Sequence, residues 1–216
     1  MIFRTKSASF IITLFIGLFL SLSGCATTGS DRAEKATAKM ESFDSEIRQA
    51  IVQLDATGAS LENLIKPGQA DIKAAFETYS DNVAKMERVG GKLIKHTDEM
   101  SARGQDYFDE WKKQGNTYTN PQIRELSEQR RADLNTVFRK ISESSIGVKG
   151  SFIDYMNNIK EIRLFLSTDL TEKGIASITP IAQKAISDGA NLKNAIIPVL
   201  SALDAARSEM AQGGAK

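Results

Sequence analysis

The stretch "IKAAFETYSDNVAKMERVGGKLIKHTDEMSARGQDYFDEW", residues 72 to 111, keeps one stripe of side chains in phase along its whole length. Ile72, Phe76, Tyr79, Val83, Met86, Gly90, Leu93, Thr97, Met100, Gly104, Tyr107 and Trp111 are separated by four and three residues in strict alternation, and nine of the twelve are sizeable apolar or aromatic residues. A strand would need a period of two. A mean spacing of about 3.5 holds one face of an α-helix against a partner helix. The stripe ends in "QGNTYTNP", residues 114 to 121, where Gly115, Asn116, Asn120 and Pro121 break the helix.

The same pattern extends to both sides. Upstream, Met40, Phe43, Ile47, Ala50, Leu54, Thr57, Leu61 and Leu64 form a seam that stops at Pro67-Gly68, a turn signal. Downstream, Pro121 suits the first position of a third helix, where its missing N–H costs nothing. The seam of this helix begins Leu126, Arg130, Leu134, Val137, Ile141, Ser145, Val148, in eleven-residue spacing that lessens left-handed supercoiling. It then returns to heptads at Phe152, Tyr155, Ile159, Ile162 and Leu166. A fourth segment carries Ile175, Ile178, Ala182, Ala185, Gly189, Leu192, Ile196, Val199, Leu203, Ala206 and Met210. Asp169 with Glu172 predicts a capping box at its start. Pro180 predicts a fresh helix start or a break, and Pro198 a bend.

Four amphipathic helices with short turns predict an all-α fold: an elongated antiparallel helical bundle over residues 31–212, with a flexible tail at 213–216. The second and third helices would be about 70 Å long at ~1.5 Å per residue. The seams suit a monomeric bundle and a dimer equally. Glycine on a seam costs a helix ~1 kcal/mol, so Gly90, Gly91 and Gly189 predict aromatic rings or close backbone at those points. Folding about Pro67 sets Phe43 opposite Gly90 and Gly91, and folding near Thr168 sets Phe152 beside Gly189 and Ala185. The first fold also places Asp31 opposite Arg103, leaving residues 104–118 to project beyond the first helix.

The amino terminus predicts an address. Arg4 and Lys6 precede the apolar run Phe10–Leu20, too short to span a bilayer with ordinary flanks. Leu22-Ser23-Gly24-Cys25 then resembles the bacterial lipobox, whose cysteine thiol accepts a diacylglycerol. That resemblance implies a signal peptide over residues 1–24, cleavage before Cys25, and a fatty acyl group such as palmitate on the new amino terminus. Several acyl chains anchor stably where one would be marginal. Residues 25–30 then form the acylated cysteine and a short tether. Ala26, in place of aspartate, points to the periplasmic face of the outer membrane.

Charge and chemistry narrow the function. Losing Arg4 and Lys6 with the leader leaves 26 of the 28 Lys and Arg against all 27 Asp and Glu. This balance gives no electrostatic case for nucleic acid. Cys25 is the only cysteine and His96 the only histidine, which is poor material for a metal site or a nucleophile. Asp109-Glu110 and similar acid pairs read as solvated helix faces, and no phosphate loop or hydrolase elbow is present. A non-enzyme is expected, with no cofactor beyond the lipid on Cys25. The residues of interest are Tyr107, Phe108, Trp111 and Tyr118, with Lys112 and Lys113 among them, and Arg130 on its apolar seam. The aromatic cluster is expected to cap the core or to touch lipid headgroups. Arg130 is expected to pair with Glu125, Glu128 or an acid on a neighbouring helix.

Three stretches, "LDATGASLE" (54–62), "YFDEWKKQGNTYTNPQIRELSEQRR" (107–131) and "KEIRLFLSTDLTEKGIASITP" (160–180), are similar to bacterial envelope proteins of domain-of-unknown-function family 2959. The resemblance covers nearly all of the mature chain. It implies an all-helical lipoprotein or periplasmic protein and carries no catalytic residue or ligand. The expected role is a structural or partner-binding component of the envelope, with an envelope protein or peptidoglycan as partner. The alternative is lipid binding or membrane remodelling through the aromatic end or an interhelical groove.

Overall fold

The computed structural model describes residues 29–212. The expected signal peptide, Cys25 and the tail at 213–216 lie outside the described residues. Four helices follow in order: α1 (Gly29–Leu64), α2 (Ile72–Gly115), α3 (Pro121–Thr168) and α4 (Glu172–Gln212). Each packs against its two neighbours in the ring α1–α2–α3–α4, and the diagonal pairs do not meet. This is an antiparallel up-and-down bundle. The α2–α3 turn, Gly29 and Gln212 share one end. The α1–α2 and α3–α4 turns share the other.

Local chemistry sets the ends. Gly68, at φ 72°, supplies the left-handed residue of the α1–α2 turn. The Asp71 carboxylate then accepts from the Ala74 N–H at 2.9 Å to cap α2. Asn120 accepts from the Gln122 N–H at 2.9 Å, with Pro121 behind it opening α3. The expected capping box at α4 is replaced by Thr171, whose Oγ1 accepts from the Gly174 N–H at 3.0 Å while donating to Asp169 at 2.7 Å. Asp169 itself closes α3. Gly29 and Ser30, expected in the tether, already belong to α1. Helix α4 runs unbroken through Pro180 and Pro198, so neither ends it. Both prolines face solvent, where water can satisfy the carbonyls of Ala176 and Asn194 that they leave free.

The seams form the core. All eight seam residues of α1 are buried, and so are those of α4 from Ile175 to Ala206. In α2 the seam is buried from Tyr79 to Leu93 and only partly from Thr97 to Trp111, where Phe108 turns inward instead. In α3, Leu134, Ile141 and Phe152 to Leu166 are buried, whereas Leu126 is 66% exposed. Arg130 meets Glu209 near the end of α4, so Leu126 lies past the level where α4 stops. Two hydroxyls on the seams bond back to their own helices: Thr57 Oγ1 donates to the Gln53 carbonyl at 2.7 Å, and Ser145 Oγ to that of Ile141 at 2.7 Å.

Rings fill the seam glycines, with partners other than those expected. Phe152 stands where a Cβ on Gly90 would be, while the neighbouring Gly91 faces open space. Tyr155, not Phe152, covers Gly189, its Cε2 being 3.0 Å from the position of the missing Cβ. Phe138 occupies the notch at Gly104. The register also differs between α1 and α2. Glu46 reaches His96 at 2.5 Å, where a tight turn at Pro67 would have set it opposite Arg88. The connection is the longer segment 65–71, and these long side chains reach along the axis. Helix α1 therefore covers Gly104 and Tyr107, and the expected overhang shrinks to the α2–α3 turn and the first turns of α3.

Two consequences are measurable. Gly90→Ala should lower stability by about 1–3 kcal/mol, because the Phe152 ring must leave its notch, while Gly91→Ala should raise it by about 0.5–1 kcal/mol. Urea midpoints of the two variants should move in opposite directions. Tyr79 is fully buried and its hydroxyl donates to the Ile159 carbonyl at 2.7 Å. Burial, reinforced by Tyr155, pushes its ionisation far above the ordinary range, and burial does the same to Tyr155. The unfolded chain releases these protons near about pH 10 and the folded chain does not. Stability should therefore be unaffected by these groups below that pH and fall above it, less steeply in Tyr79→Phe.

Candidate functional site

The sequence-selected residues gather at the end of the bundle where α1 begins. Tyr107 stacks edge-on with Phe108 at 5.3 Å and with Trp111 at 5.8 Å between ring centroids. Phe108 meets Phe138 of α3 at 5.7 Å. Edge-to-face pairs of this kind add about 0.5–1.5 kcal/mol beyond area burial. The Trp111 indole N–H donates to Ser127 Oγ at 3.0 Å, tying α2 to α3 across their turn. Tyr118 stands apart, 39% exposed in that turn, and its carbonyl accepts from Arg124 at 2.7 Å. Three of the four aromatics are thus core-capping, and one is surface.

Arg130 is brought to an acid on a neighbouring helix. Its guanidinium pairs with the Glu209 carboxylate and also donates to the Glu209 carbonyl at 2.9 Å. The two contacts clasp the last turns of α4 to α3. His96 sits half-buried against Glu46. Among the described residues, no group of three or more His, Cys, Asp or Glu side chains is placed to hold a metal.

Directly inside the aromatic cap lies a feature not read from the sequence, a cavity of about 460 Å³ bounded by all four helices. Its walls include Met40 and Phe43 of α1, Met100 of α2, Val137 and Phe138 of α3, and Met210 of α4. Tyr107 and Phe108 close it toward the α2–α3 turn. Its mouth follows the α1–α2 groove, with Lys35 and Lys39 on one lip and His96, Glu99 and Arg103 on the other. Pockets of this volume and lining are typical of small-molecule sites.

The cavity has a sequence cause. Stepping back four residues from Met40 continues the α1 seam to Ala36, and Gly104 of α2 and Ala206 of α4 line the same cavity. Small side chains at Ala36 and Ala206 fill little of the interior, and Phe138 takes up only the notch at Gly104. Each helix alone shows only an ordinary Ala or Gly. Their convergence on one cavity is the signal, and it needs the packing of the helices to be visible.

The fold and site together define an all-α, four-helix bundle with an apolar interhelical cavity at one end. Among the described residues no helix is long and apolar enough to cross a membrane. Residues 26–207 match the family described as "Protein of unknown function (DUF2959)", and the chain belongs to that family. Neither the comparison with curated proteins nor that with solved structures gives a match.

Filling the gap should stabilise the protein. Ala206→Leu, pointing into empty apolar space, should raise the urea midpoint by an amount worth about 1 kcal/mol. A lower midpoint would mean that the walls have already closed on the cavity in solution.

Proposed function

We propose that this chain is a lipid-anchored protein of the bacterial periplasm, held to the outer membrane through Cys25, and that it handles membrane lipid by binding it without catalysis. The observation that carries this reading is the apolar cavity with its cationic lip. Its place in the bundle adds support. Cys25 precedes the start of α1 at Gly29 by four residues, which extended chain spans in at most about 14 Å. Acyl chains on Cys25 would hold the cavity end of the rod near the bilayer. A pocket for lipid is useful where lipid is supplied.

A structural or adaptor role is the second reading, favoured by a different surface. Tyr118, Ile123 and Leu126 are exposed together around the α2–α3 turn, at 39%, 48% and 66%. Such a patch at the tip of a hairpin suits a protein partner. The Trp111 indole is occupied by Ser127, so Leu126 is the better position from which to look for one.

Photo-cross-linking in growing cells separates the two. A photoreactive residue at Met100 should capture lipid, seen as an added lipid mass on the chain. If Met100 links only to its own neighbouring helices while a probe at Leu126 traps one discrete protein, the lipid reading falls and the adaptor reading takes its place.

A further inference from the structure

The cavity's charge pattern and length identify a ligand class. We infer that it holds one long acyl chain whose anionic head is bound by Lys35, Lys39 and Arg103, the ligand being a free long-chain fatty acid. This deepens the lipid-handling reading above and rests on it.

Consider first the charges at the mouth. Among the described residues, Lys35, Lys39 and Arg103 have no ion-pair partner, although all three line the cavity and are exposed. The other charged groups on the lips are already matched: His96 pairs with Glu46 at 2.5 Å, and Glu99 with Lys95 at 3.7 Å. Some cations between helices elsewhere are paired, as Lys149 is with Asp98 at 2.6 Å and Lys193 with Asp55 at 2.7 Å, and what sets Lys35, Lys39 and Arg103 apart is that they gather on one apolar cavity. Three unmatched cations around the mouth of an apolar hole therefore form a recognition pattern for an anion with a hydrophobic body. Lys35 and Lys39, four residues apart, project from the same face of α1 toward Arg103 across the groove.

Length and lining agree with a single chain. The α2 wall runs from His96 to Phe108, which is about 18 Å at ~1.5 Å per residue. One leaflet's acyl chains fill about half of a ~30 Å hydrocarbon core, roughly 15 Å. The volume of about 460 Å³ lies in the lower part of the usual range for ligand sites, which favours one chain over the two of a phospholipid. Three of the chain's six methionines, Met40, Met100 and Met210, line the walls. Unbranched thioethers adapt to a flexible chain as they do at other promiscuous apolar surfaces. Phe43, Met100, Leu134, Val137, Phe138 and Met210 give the tail an apolar wall.

The test uses the full chain in phosphatidylcholine vesicles with palmitic acid carrying a diazirine at its methyl end. Photolysis should place adducts on peptides containing Met100, Phe138 or Met210. Unlabelled palmitate should compete about tenfold better than methyl palmitate, which has the same tail and no charge. The exposed triple variant Lys35→Ala, Lys39→Ala, Arg103→Ala should fold normally and lose about tenfold in labelling, the size expected for three solvent-screened ion pairs. Ala206→Leu should reduce labelling while keeping the lip intact. Equal competition by methyl palmitate, with adducts still in the cavity, overturns the anionic assignment and leaves the lipid reading standing. Cavity labelling by a diazirine phosphatidylglycerol that palmitate cannot displace overturns the single-chain assignment and also leaves that reading standing. Adducts scattered over exposed faces, with none in the cavity from either probe, overturn both.

Discussion

Two ring-into-glycine contacts hold the geometry of this bundle. Phe152 occupies the place of a Gly90 side chain, and Tyr155 packs over Gly189. A helix interior tolerates glycine at a cost of ~1 kcal/mol, so each notch weakens its own helix slightly. In return a large ring is buried in a space that only one register provides. Sliding α3 by a turn would drive Phe152 into a Cβ-bearing neighbour and leave Gly90 facing a void. Leucine layers alone would tolerate such a slip more readily, because one apolar layer resembles the next. Tyr79 reinforces the same register from a third direction, since its buried hydroxyl has a partner only while the Ile159 carbonyl stands opposite.

The two ends of the rod differ in how well that register is filled. From Tyr79 to Leu93 on α2 and from Phe152 to Leu166 on α3, large side chains leave little space, and ion pairs such as Arg163 with Glu87 dress the outside. Toward the start of α1 the layers thin to Ala36, Gly104 and Ala206. The aromatic cap of Tyr107, Phe108 and Trp111 then closes the interior beyond the gap, and Arg130 clasps Glu209 alongside. The hole is bounded by packed helices on one side and by a capped end on the other.

Placement bears on the proposed lipid handling. Cys25, the beginning of α1 and the lining residues Lys35 and Lys39 follow one another within a short length of chain. An acyl anchor at the first would keep the last close to lipid. The exposed cations that line the cavity, Lys35, Lys39 and Arg103, stand on α1 and α2. A chain entering there would move sideways between helices, past Lys35 and Lys39, with its head remaining in water.

Most of the architecture was legible in sequence because helical burial is periodic, and periodicity is a property of a single segment. The four seams, the turns at Pro67-Gly68 and Asn120-Pro121, and the need to fill the seam glycines all follow from spacing and backbone chemistry. So does membership of DUF2959, carried by continuous stretches of chain. Pairings across helices were less accessible: Phe152 went to Gly90 and not to Gly189, Glu46 to His96, and Arg130 to Glu209. A one-turn shift of register leaves every helix's own pattern unchanged, so no single segment records it. The cavity belongs to the same class. Ala36, Gly104 and Ala206 are ordinary small residues where they stand in sequence, and only packing four helices at a fixed register brings them to the wall of one cavity.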